Sequence, residues 1–183
     1  MSNPPSEVIP AREFYTAQEL ADLALEWGAS ATVVSDDGRV AVELERGSEV
    51  LQLDLGRASE FYGEVLCRGW VKVPSAPHRA CDRWNEYPYF GSFSLVYDEN
   101  DLPRHDADGF VVRGVSLVEF GHCRSRSEVM TRILFFWFGL TLIQALVASG
   151  STDLTEIDQA QVQTDLVEWW FGRDVTGDGE DDG

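Results

Sequence analysis

Residues 133–148 form a nearly unbroken apolar run, and no other feature of this chain restricts its fold so strongly. The run is sixteen residues long, with Gln144 inside it. A helix that crosses a bilayer needs about 20 apolar residues, so the segment reads as a helix buried in protein, and no membrane partner is expected. Val129, Ile133, Phe136, Leu140, Ile143 and Val147 fall on one helical stripe. Leu134, Phe135, Phe138, Leu142 and Leu146 cover other faces. Ser125 or Ser127 opens this helix and Ser149-Gly150 stops it. A helix apolar around so much of its circumference must be covered on more than one side.

The rest of the chain has to supply that cover. At 183 residues and 44% hydrophobic content, it can build one domain with a real core. Thr16 caps a helix over 17–27, and Glu19, three residues later, completes a capping box. Leu20, Leu23, Ala24 and Trp27 share one face, and Gly28 suits the C-terminal stop. Four extended runs follow. Residues 31–35 make a weak strand. Val40, Val42 and Leu44 alternate with charged neighbours. Leu51, Leu53 and Leu55 do the same, as do Val65, Cys67, Val71 and Val73. Asp36-Asp37-Gly38 has hairpin chemistry and Gly47-Ser48 makes a second turn. The four runs read as an antiparallel meander with one wet face.

Pro74 and Pro77 interrupt the sheet, and a short helix then carries Ala80, Cys81 and Trp84 inward. Two more strands are expected. In residues 92–98, Phe93, Leu95 and Tyr97 alternate, and residues 110–120 are apolar on both faces, as a central strand would be. Gly114 is read as a bulge in that strand. The plan is then a flexible lead over 1–13, an α+β domain over 14–150, an additional helix over 151–172 and an acidic disordered tail over 173–183.

Three local features carry a family resemblance. The capped helix over 16–27 runs into the Asp36-Asp37-Gly38 hairpin. Trp84-Asn85 is followed by an aromatic residue, Pro88, and a strand holding Phe93 and Tyr97. A strand over 110–119 then leads into the apolar helix. In this order and spacing, residues 14–148 resemble the YbjN domain family, described as bacterial sensory transduction regulators. The resemblance implies a fold similar to the class I type III secretion chaperones, with a curved antiparallel sheet and helices packed on it. It carries over no functional residues. The segment over 155–171 and the acidic tail depart from the compact family pattern.

Charge and cysteine content narrow the function. The net charge is −18, from 32 acidic against 14 basic residues. That balance repels phosphate backbones and leaves no basic footprint for nucleic acid. Three cysteines at wide spacing imply no disulfide framework. The N-terminal residues lack the basic and apolar regions of a signal peptide, so a cytoplasmic location is the default.

Chemistry-bearing patterns are sparse. His78, Cys81, His122 and Cys123 would offer zinc two nitrogens and two sulfurs, but the second pair is adjacent, an awkward bite. Gly91-Ser92-Phe93-Ser94-Leu95 lacks the second glycine of a nucleophile elbow. Asp98, Glu99, Asp101, Asp106 and Asp108 crowd one hairpin, which suits a solvated turn. Asp174, Thr176, Asp178 and Gly179 echo the first half of an EF-hand loop, but the chain ends before the twelfth position. No catalytic residue, metal or cofactor is therefore assigned.

The expected role is a non-enzymatic protein-interaction module, chaperone-like or regulatory, acting through its sheet and its apolar helix. The interaction surface is expected at Phe135, Phe138, Leu142, Leu146, Trp169 and Trp170, against a protein partner of unknown identity or a second copy in a homodimer. The alternative is a small-molecule or ion sensor with a pocket under the sheet, lined by Trp70, Phe93 and Tyr97.

Overall fold

The computed structural model describes residues 9–46, 49–77, 81, 82, 85 and 91–149. Helix α1 spans Ala17–Glu26. Strands β1 (Ser30–Asp36), β2 (Arg39–Arg46), β3 (Glu49–Arg57) and β4 (Glu64–Val73) follow. Then come β5 (Ser92–Leu95), the two-residue β6 (His105–Asp106), β7 (Gly109–Glu119), a single 3-10 turn at Phe120–His122, and helix α2 (Arg126–Ser149). The fold is α+β. One open antiparallel sheet has the order β1-β2-β3-β4-β7-β5, and β6 pairs with the start of β7.

Local chemistry explains most of these boundaries. The Glu19 N–H donates to Thr16 Oγ1 at 3.1 Å, and the Thr16 N–H donates to the Glu19 carboxylate at 2.9 Å, so the capping box is closed in both directions. Asp37 and Gly38 have φ of 46° and 73°, the paired positive values that a two-residue hairpin requires. Ser125 is the residue that caps α2, its Oγ accepting from the Glu128 N–H at 3.1 Å. The expected weak strand over 31–35 is a full seven-residue strand in register with β2 from Ser30↔Glu45 to Asp36↔Arg39. The lead-in to α1 is tied down from residue 9, because Ile9 C=O accepts from the Arg126 N–H and Pro10 bridges Ser125.

The core lies on one face of the sheet, here called inner. Val42, Leu44, Leu51, Leu53, Val65, Cys67, Val112 and Val118 point to it and are buried. Helix α1 covers β1 and β2, and α2 covers β4 and β7. Gly69 and Gly114 sit opposite each other where α2 crosses. A Cβ on Gly114 would lie 2.8 Å from Leu140 Cδ2, 2.9 Å from Phe93 Cε1 and 3.1 Å from Phe136 Cε2. Gly114 is therefore no bulge: it keeps the β4–β7 register, and its missing side chain lets the helix approach the sheet.

Candidate interaction face

Alternation along the two central strands divides their side chains between the faces. Val65, Cys67 and Gly69 of β4 are buried on the inner face, while Leu66, Arg68, Trp70 and Lys72 point outward. Across the register, Leu66 faces Leu117, Arg68 faces Val115, Trp70 faces Arg113 and Lys72 faces Val111. The outer face of the sheet centre is thus an apolar strip laced with cations. Trp70, Val50 and Leu117 are 49%, 51% and 52% exposed. On β3, Val50 precedes Leu51, whose partner is Gly69, so Val50 belongs to the same cross-strand row as Trp70.

One ionic cluster stiffens this face. Asp54 on β3 is buried although its neighbours are arginines on β2 and β4. Its carboxylate takes Arg68 Nη2 at 2.7 Å, Arg39 Nη2 at 2.9 Å, and the Gly56 N–H at 2.8 Å. Burial pushes the Asp54 carboxyl up. The Gly56 N–H, the Arg39 hydrogen bond and the charges of Arg68 and Arg39 outweigh it and hold the group below its usual value. The cluster therefore ties three adjacent strands together across the outer face. At its far side Lys72 pairs with Asp108 at 2.8 Å.

The residues expected to form the interaction surface lie elsewhere. Phe138 is buried, and Phe135 and Leu142 are half-buried against the core. Trp137 and Leu134 are buried as well, so α2 is enclosed on several sides. Among the described residues, Phe138 is part of the core, and Phe135 and Leu142 pack against it. The Leu146 side chain, Trp169 and Trp170 lie outside the described residues, as do the segment over 155–171, the acidic tail and His78.

The expected pocket is not assembled. Phe93 is buried on the inner face, paired with Gly114 and stacked on Phe136 at 6.2 Å between ring centroids. Trp70 stands on the outer face and Tyr97 is exposed beyond the end of β5. The three rings have a common strand neighbourhood but not a common side of it. A second apolar spot that the sequence did not point to lies at the start of α1, where the exposed Phe14 and Phe61 flank a shallow depression rimmed by the Arg12–Glu19 ion pair.

The other candidate chemistries are accounted for by local structure. Burial pushes the Cys81 thiol up to about 11, with help from Asp82, and the Cys67 thiol up to about 12. His122 Nδ1 is 2.9 Å from the Glu119 carboxylate on the surface. Among the described residues no three His, Cys, Asp or Glu side chains converge as metal ligands. Asp98 accepts from the Asn100 and Leu102 N–H groups at 2.8 and 3.1 Å, a turn-closing role that also holds its carboxyl low. Among the described residues no helix is long and apolar enough to cross a membrane.

No protein-family model matches the chain, and no curated protein matches it. Among solved structures, an uncharacterized protein from Methanothermobacter thermautotrophicus is similar, with a TM-score of 0.51 at 11% identity. The likeness covers 74% of this chain and 99% of that one. It supports the α+β fold and carries nothing about activity.

Proposed function

We propose that this chain is a non-enzymatic protein-interaction module, chaperone-like or regulatory in the manner of the YbjN family it resembles, and that it works in the cytoplasm through the outer face of its sheet. The observation that carries this reading is the outer face of β4 and β7, where the exposed Trp70 lies opposite Arg113 and the exposed Leu117 opposite Leu66, with Arg68 and Val115 paired between them. Apolar side chains on a solvated sheet face are costly unless something uses them, and tryptophan with arginine is the composition of binding hot spots. The Asp54 cluster holds that face in shape before any partner arrives. A protein partner is favoured over nucleic acid because the net charge is −18. The module is further proposed to be a homodimer.

Comparative capture tests the outer face. Wild type, W70S and L117K are immobilised in parallel, and retained proteins are identified, with thermal melts run to show that all three are folded. A partner held by wild type and lost by both variants supports the reading. Equal retention by all three, or no specific retention by wild type, overturns it.

A further inference from the structure

We infer that β1 is the junction at which two copies of this chain pair, strand against strand, to make one continuous sheet; this rests on the homodimer reading above and names its interface. Among the described residues β1 pairs only with β2, and Ser30, Thr32, Val33, Ser35 and Asp36 are exposed along it. Natural edge strands are blunted by lysine, proline, bulges or short length. The seven residues Ser-Ala-Thr-Val-Val-Ser-Asp contain no lysine or proline, and their register with β2 is unbroken. The opposite edge shows the contrast. There β5 is four residues long, and the Asn85 side chain accepts from the Phe93 N–H at 2.7 Å and donates to the Phe93 C=O at 2.9 Å, filling the place of a neighbouring strand.

Charge selects a second copy as the occupant. A chain of net charge −18 repels itself over most of its surface, yet β1 carries one ionisable side chain, Asp36, at its end. An antiparallel pairing centred on Val33 uses all seven residues. It sets Ser30 opposite Asp36, Ala31 opposite Ser35, Thr32 opposite Val34, and Val33 opposite its own copy. The two Asp36 carboxylates are then about 20 Å apart at ~3.4 Å per residue, well beyond the ~8 Å screening length at physiological salt. Such a contact is isologous and closes at two subunits. Apolar cover is present too. Val33 is 38% exposed, and Leu25 of α1 is 52% exposed.

Sedimentation and cross-linking of the full chain test this. Wild type is expected at twice the 20.5 kDa of one chain. V33K should raise the dimer dissociation constant at least about tenfold, roughly 1.4 kcal/mol, while L102K, in an exposed turn away from β1, should not. V33C should oxidise to a covalent dimer through the 33–33 pair, because the three native cysteines are buried. A wild-type monomer that pairs through β1 with no copy of itself overturns both this inference and the dimer reading. A wild-type dimer that V33K leaves intact and V33C does not cross-link overturns the β1 junction alone, and the dimer then forms elsewhere.

Discussion

The two faces of strand β7 differ in burial, although they are built from alternate residues of the same backbone. Val112, Gly114 and Val118 look inward to α2 and are buried. Val111, Arg113, Val115 and Leu117 look outward and retain solvent access. The inner face is apolar because helices pack on it, and its tightest point, the Gly69–Gly114 crossing, has no room for a methyl group. The outer face is also largely apolar, yet its leucine and tryptophan stay half in water. Hydrophobicity alone therefore does not report burial. The inner apolar residues fold the chain, and the outer ones form the face proposed above to meet a partner.

The largest expected effect comes from placing a charge on the inner face. Val118 is 1% exposed and pairs across the sheet with the buried Val65. V118K should cost more than about 4 kcal/mol, the range of an unpaired buried charge, and remove the cooperative unfolding transition in urea. A variant that retains a sharp transition within about 1 kcal/mol of wild type would show that α2 does not seal the sheet.

A middle effect is expected at Asp54, the polar residue that makes the outer face rigid. D54N keeps the shape and loses the charge, and should destabilise by about 1–3 kcal/mol. The pH dependence has a definite sign. The folded carboxyl titrates below its ordinary value of 3.8, so its contribution is complete above that value and is lost as the pH falls through the lower folded value. Urea midpoints of wild type and D54N should thus differ at pH 7 and converge below about pH 4. Parallel curves over the whole range would mean that Arg39 and Arg68 contribute nothing through this carboxylate.

The division between the faces was only partly legible in the sequence. Whatever depends on neighbours in the chain was readable: the Thr16–Glu19 capping box, the Asp37-Gly38 turn, the alternation in β2, β3 and β4, and the central position of the strand at 109–119. What depends on register was not. Trp70 and Phe93 look like companions as aromatic residues of neighbouring strands, and only the pairing of Phe93 with Gly114 and of Trp70 with Arg113 separates them to opposite sides. Gly114 looks like a bulge until the residues above it are known. Asp54 reads as one more wet position in an alternating strand. The signal that would have found it is that Arg39, Asp54 and Arg68 share one parity on three successive strands, which becomes informative once the strands are aligned. The helix over 126–149 was readable as buried, but its all-round apolarity made Phe138 look available for a partner when it belongs to the core.

The smallest expected effect on stability is at Leu117, one residue from Val118. Its side chain points to the outer face and is 52% exposed, so a lysine there can keep its stem along Leu66 and its ammonium in water. L117K should shift the unfolding free energy by no more than about 0.5 kcal/mol, the usual range for a surface substitution. The comparison with V118K is sharp because strand, neighbours in sequence and introduced residue are all shared, and only the face differs. If L117K proved as damaging as V118K, the outer face would be covered by protein in the isolated chain, and its exposed Trp70 and Leu117 would no longer be free to meet a partner.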